Sequence, residues 1–123
     1  MGILCIGEAL IDMICTDKGT ALSEGNHFLK KAGGAPTNVA AAIGALGGSV
    51  SIAAKVGNDP FGKHLQNKMH QFGVDTRWMQ MDSATFTTFA FVSLMNNGER
   101  DFIFNRGADG VLSQSDIEKI PLE

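Results

Sequence analysis

Apolar and polar positions alternate along the chain in a way that predicts a short series of strands and helices. Ile3-Leu4-Cys5-Ile6 reads as a buried strand, and Gly7 to Ile14 continues as apolar chain carrying two acids, Glu8 and Asp12. Thr16 to Gly25 is polar and turn-like, and Leu29-Lys30-Lys31-Ala32 predicts a short exposed strand leading into Gly33-Gly34. From Pro36 to Leu46 the pattern is helical: proline suits a first helical position, the interior is rich in alanine, and Gly47-Gly48 stops it. Val50 to Val56 predicts a second buried strand. Gly57-Asn58-Asp59-Pro60 then predicts a turn and a helix start, with Asp59 as N-cap. Leu65, Met69 and Phe72 form the apolar stripe of that helix, and Gly73 ends it. Arg77 to Met81, Thr87 to Met95 and Arg100 to Asn105 read as strands, the last two joined by an Asn96-Asn97-Gly98-Glu99 hairpin turn. Ser113 to Ile120 opens another helix or turn. Two successive strand–helix units predict an α/β sheet, and the later strands an inserted β-region covering one edge of it.

Composition narrows this picture. The 123 residues suffice for one domain with a genuine core, and 44% hydrophobic content with a net charge of −3 argues against disorder. The small acidic excess shows no basic patch for nucleic acid, so no nucleic-acid partner is expected. Apolar stretches are broken by Asp, Lys or Gly before membrane-spanning length, so no membrane partner is expected either. The opening residues lack a basic n-region and cleavage site, and Cys5 and Cys15 are in no CxxC or metal-ligand cluster. Reduced thiols and a cytoplasmic location follow as expectations. The 15 glycines fall at the ends of periodic segments, where they punctuate a fold rather than form a linker.

The most informative stretch is Ala32-Gly33-Gly34-Ala35-Pro36-Thr37-Asn38-Val39-Ala40. Paired glycines let backbone approach a ligand, the helix behind them directs free N–H groups forward, and Asn38 offers a donor and an acceptor suited to a hydroxyl. A plain loop-to-helix junction has the same spacing. The glycines fit neither GxGxxG nor GxxxxGK[ST], which removes the P-loop and weakens a dinucleotide site. Asp12 is expected just after a strand, at the carboxyl end of the sheet, where its carboxylate could accept from vicinal hydroxyls; a capping or turn role is the competing reading, and Glu8 competes with it. In Phe102-Ile103-Phe104-Asn105-Arg106, alternation puts Phe102, Phe104 and Arg106 on one face, so the guanidinium could meet a sugar oxygen or a phosphate, or simply be a solvated strand-end arginine. Phe86, Phe89 and Phe91 read first as core. Gly107-Ala108-Asp109-Gly110 reads as a turn. His64 and His70 stand at i and i+6 on one helix, so no metal pair is expected.

Taken in order, these segments resemble the N-terminal part of the PfkB, or ribokinase-like, carbohydrate kinases. The resemblance rests on Gly7-Glu8-Ala9-Leu10-Ile11-Asp12, the Ala32 to Ala42 stretch with Leu46-Gly47-Gly48, Lys55 to Gly62, Gly73-Val74-Asp75-Thr76, Thr87 to Val92 and Gly98-Glu99-Arg100. It covers essentially the whole chain. It implies an α/β fold, the N-terminal portion of a three-layer ribokinase-like domain (residues 1–123), with β-lid segments at about 13–32 and 77–106. It implies ATP-dependent phosphorylation, with Mg2+, of a sugar hydroxymethyl group. Asp12, Gly33, Gly34 and Asn38 would hold sugar hydroxyls, and lid strands carrying Ala90, Phe104 and Arg106 would close over the sugar and form a homodimer contact.

The Ala-Pro after the double glycine and the Phe-Asn-Arg-Gly-Ala-Asp run are most similar to bacterial fructokinases, with 2-keto-3-deoxygluconate kinases nearby. The family's Gly-Ala-Gly-Asp run, which provides the anion hole and general base, is not in this sequence, nor is the ATP-binding half. No catalytic residue and no metal ligand is therefore expected within the 123 residues, and the chain alone is expected to be inactive. A non-catalytic sugar-binding or dimerisation module and another PfkB-type sugar or nucleoside kinase are the alternatives.

Overall fold

The computed structural model describes residues 2–121. Met1, Leu122 and Glu123, at the ends of the expected 1–123 domain, lie outside the described residues. In chain order the elements are β1 (Ile3–Ile6), β2 (Leu10–Cys15), β3 (Phe28–Gly33), α1 (Ala35–Ala45), β4 (Val50–Gly57), α2 (Pro60–Gln71), β5 (Met79–Asp82), β6 (Phe89–Leu94), β7 (Arg100–Asn105), a 3-10 turn (Ala108–Val111) and α3 (Gln114–Glu118).

They form two sheets. One is parallel, in the order β1-β4-β5, with Cys5 opposite Ile52 and Ala54 opposite Met79. The helices connect its strands as crossovers, the arrangement that the alternating strand and helix periods predict. Between sheet and helices lies the core of Ala9, Ile11, Ala40, Ile52, Ala54, Val56, Leu65, Met69, Val74 and Met79, all nearly or wholly buried. The second sheet, which holds most of the strands expected in a lid and is called the lid sheet or lid for that reason alone, has mixed strands in the order β3-β2-β6-β7, where β2 pairs antiparallel with β3 and parallel with β6.

Two expectations change here. The strand near Arg77 begins at Met79 and pairs with β4, so it belongs to the parallel sheet and not to a lid spanning 77–106. The buried side chains of Val74 and Met79 hold it against the core. The lid strands instead span 10–33 and 89–105. β1 is only half-covered, with Ile3 53% and Ile6 47% exposed, because among the described residues it has a strand on one side alone. The run Gly107 to Gly110 is a turn, as expected, and takes 3-10 form over Ala108–Val111.

The lid is tied to the sheet by two threonines and two aspartates. Asp59 caps α2, accepting from the Gly62 N–H at 2.8 Å, and also accepts from the Thr87 N–H at 2.9 Å and the Thr87 hydroxyl at 2.7 Å. The same hydroxyl accepts from the Gly57 N–H at 3.0 Å, so a fully buried threonine is satisfied on both sides. Burial works to raise the Asp59 carboxyl, but the bonds from Gly62 and Thr87 outweigh it and hold it below the usual carboxylate range. One residue on, the Thr88 hydroxyl donates to Asp109 and accepts from the Gly107 N–H at 2.8 Å. The chain thus leaves for the lid and returns from it at one fixed point.

Beyond the lid, Asp116 caps α3 by accepting from the Ser113 N–H at 2.9 Å and pairs with Lys55 of β4 at 2.8 Å. That pairing, with the Ser113 bond, holds its carboxyl down at about 2.

Asp59→Ala removes a cap and both bonds to Thr87, and should lower the unfolding free energy in urea by about 2–3 kcal/mol. Thr87→Val keeps the cap but strands the Gly57 N–H, and should cost about 1–3 kcal/mol. A loss under about 0.5 kcal/mol in both would mean that the lid is anchored elsewhere. Asp116 contributes a second, pH-dependent difference. Its folded value lies below the unfolded 3.8, so its contribution is present above that value and disappears as pH falls toward 2. Asp116→Asn should therefore be less stable than the native chain at about pH 5 and indistinguishable from it at about pH 2; an equal gap at both would exclude the carboxylate as the cause.

Candidate functional site

The site grows from the junction of β3 and α1. Gly34 is the N-cap of α1 at φ 100° and ψ 133°, a conformation that side chains resist, and no side chain caps the helix there. A Cβ on Gly34 would collide with the Glu8 carbonyl. The Thr37 hydroxyl donates to that same carbonyl at 3.0 Å. The bend is thereby pinned to the loop between β1 and β2.

Gly33 is needed for a different reason. A Cβ there would run into the carboxylate of Asp12, which stands beside it across the β2–β3 ladder. Asp12 is in β2, the second strand of the lid, and not at the carboxyl end of the opening strand as the sequence predicts. The chain turns at Gly7, where φ is 144°, and carries Asp12 out of the parallel sheet. Burial raises the Asp12 carboxyl and the charge of Glu8 raises it further.

Register extends this face across the lid. Asp12 is opposite Ala90, and Ala90 is opposite Phe104, so the three form one rung with their side chains on the same face. Ala90 is 3% exposed and Phe104 42%. Phe104 packs edge-on to Phe102, and the Arg106 guanidinium lies 5.0 Å from the Phe104 ring centre. Arg106 also donates to Asp109 at 2.9 Å; the arginine is half-exposed and the aspartate buried. Alternation along β7 thus gives the aromatic–arginine face that the sequence predicts, and Asp109 adds what it does not: a buried anion that fixes the arginine. The three-residue spacing of Arg106 and Asp109 was the available signal, and reading the segment as a turn hid it.

Asn38 stands apart. It is exposed on α1 and its side chain makes no hydrogen bond to Asp12 among the described residues. It borders a cavity of about 440 Å³ between β3, α1 and α2, together with Lys30, Lys31, His64 and Lys68. The structure therefore brings Asp12, Gly33 and Gly34 together, aligns Ala90, Phe104 and Arg106 with them on the lid, and sets Asn38 one turn further along. Among the described residues no group of three or more His, Cys, Asp or Glu is placed to hold a metal ion.

Residues 2–122 match the pfkB family carbohydrate kinase. Among curated proteins, the chain is 42% identical over 118 residues to a probable fructokinase-6, chloroplastic, of Arabidopsis thaliana, covering 94% of this chain and 31% of that protein. Among solved structures it resembles a Halothermothrix orenii fructokinase at 30% identity and a TM-score of 0.88, covering 96% of this chain and 42% of that one. A Xylella fastidiosa fructokinase with bound ATP is similar at 40% identity and a TM-score of 0.78, over 94% of this chain and 36% of that one. The chain spans about a third of the length of the curated relatives it matches.

The bend makes a measurable distinction between two glycines of similar φ. Gly34→Ala meets both a forbidden conformation and the Glu8 carbonyl, and should destabilise by about 3 kcal/mol or more. Gly47→Ala, at φ 87° with open space around it, should cost about 1 kcal/mol. Equal losses in thermal or urea unfolding would show that Gly34 is not held against Glu8.

Proposed function

The chain belongs to the pfkB family of carbohydrate kinases, and from that premise we propose that it supplies the sugar-binding side and lid of an ATP-dependent kinase acting on a sugar hydroxymethyl group, with fructose as the sugar. The observation that carries this reading is the single rung of Asp12, Ala90 and Phe104 facing the Gly33-Gly34 bend. Asp12 is a hydrogen-bond acceptor with room around it, because Gly33 has no side chain. Phe104 offers an apolar wall for the carbon face of a ring. Arg106, held by Asp109, offers a donor fixed in place at low entropic cost. Such a set would bind an uncharged polyol through charge-assisted hydrogen bonds, its hydroxyls donating to Asp12 and accepting from Arg106 at the rim. The names of the relatives support fructose over other sugars.

ATP would be the phosphoryl donor and Mg2+ its companion ion, and no step of transfer is assigned to the residues of this chain. Its part is to bind, orient and cover the acceptor. Phe102, Ile103 and Phe104 are all more than two-fifths exposed on β7, apolar on both faces of an edge strand, and this supports a homodimer through the lids. A cytoplasmic location is part of the same reading. No helix among the described residues is long and apolar enough to cross a membrane. A second substrate reading, 2-keto-3-deoxygluconate, draws on the Arg106 guanidinium, which suits a sugar carboxylate.

A coupled assay on a polypeptide carrying these residues together with the family's Gly-Ala-Gly-Asp segment should run fastest with fructose among fructose, ribose, 2-keto-3-deoxygluconate and adenosine. A preference for adenosine would overturn the assignment, and one for 2-keto-3-deoxygluconate would select the second reading. Asn38→Ala should raise the sugar KM a few-fold, the worth of one hydrogen bond of ~1 kcal/mol. An unchanged KM would remove Asn38 from the site.

A further inference from the structure

We propose that the cavity between β3, α1 and α2 is a second binding site, for a small phosphorylated metabolite. The hollow measures about 440 Å³, within the usual range for small-ligand sites and ample for a sugar phosphate or a nucleoside monophosphate. Lys30 and Lys31 enter it from β3, His64 and Lys68 from α2, and the Asn38 carboxamide from α1, while Phe72 just past α2 contributes to an apolar wall. No aspartate or glutamate lines it. Among the described residues none of the three lysines is paired with a carboxylate.

The cations crowd one another. Burial lowers the His64 imidazole, and the charges of Lys30 and Lys68 lower it further, as like charges sharing one hollow do. Lys30 lies 5.9 Å from the Phe61 ring centre, a contact that keeps its ammonium at the mouth instead of free in solvent. Lys68 is one helical turn beyond His64, so both point from the same side of α2. A dianionic phosphate would answer this arrangement with charge-assisted bonds, the Asn38 amide could donate to it, and the apolar wall would take the organic part. A concave site of this size between three elements favours a small molecule over an acidic peptide.

Lys30, His64 and Lys68 lie apart from the sugar face, while Lys31, opposite Asp12, and Asn38 stand on the border between the two. Lys30 and Gly33 are an odd number of residues apart on β3, so their side-chain directions point to opposite faces, and Asp12 is on the Gly33 side. The test is a titration of the isotopically labelled full chain, followed by backbone amide shifts, with glucose 6-phosphate and AMP and with glucose and adenosine as their uncharged counterparts. Saturable shifts at Lys30, Lys31, His64 and Lys68 with the phosphate esters alone are expected. The tighter ester tells whether a sugar or a flat base fills the apolar wall. Lys30→Gln and Lys68→Gln should each weaken binding about tenfold or more, the scale of one charge-assisted bond, with unchanged circular dichroism as the check on folding. No saturation, equal binding of the uncharged compounds, shifts confined to other parts of the chain, or full affinity in both variants would each overturn the proposal.

Discussion

The lid can hold a ligand only if its distance from the parallel sheet is fixed, and two carboxylates set that distance. Asp59 takes the N–H and hydroxyl of Thr87 where the chain leaves for β6, and Asp109 takes the Thr88 hydroxyl where it returns from β7. Both threonines are fully buried, so water cannot replace these bonds, and breaking one leaves a donor or acceptor stranded. The anchor does more than join two sheets. Asp109 also holds Arg106, so the element that fixes the lid's position also fixes the charge at its rim. Asp59 is the cap of α2, so the helix that floors the lid is set by the same atom pair.

From this constraint the character of the proposed sugar face follows. The lid presents Lys31, Asp12, Ala90 and Phe104 in a row, with Gly33 diagonal to the acid. Asp12 is partly desolvated and feels Glu8, so its charged form is disfavoured relative to an open carboxylate. Hydroxyl donors reaching Asp12 would restore part of that lost solvation. The cost of holding Asp12 in place is carried by Gly33 and Gly34, the first by leaving space and the second by adopting a backbone conformation closed to other residues.

Local chemistry made much of this legible in advance. The proline and alanines of α1, the Asp59 cap and the Asn-Gly hairpin turn each act within a few residues, so their elements lie within two residues of the expected bounds. What escaped was set by pairing at a distance. Nothing in Met79-Gln80-Met81 distinguishes a lid strand from a sheet strand; the choice is made by β4, some twenty residues earlier. The sequence predicts Asp12 just after the opening strand, whereas it lies within β2, because the run from Ile3 to Ile14 carries few polar breaks and Gly7 marks the turn between two sheets. Asp109 was passed over for the reason that makes it useful: its partners are Thr88, on another strand, and an arginine whose direction depends on β7.

Strand β3 separates two electrostatic environments. On the side of Gly33 stand Asp12, its charge muted, and Lys31 opposite it; on the side of Lys30 stand ammonium groups with no carboxylate among them. A neutral polyol gains little from the cations and much from acceptors, whereas a phosphate would be repelled by Asp12 and drawn to Lys30 and Lys68. Alternation along a single strand therefore turns Lys30 away from the acid while leaving Lys31 beside it.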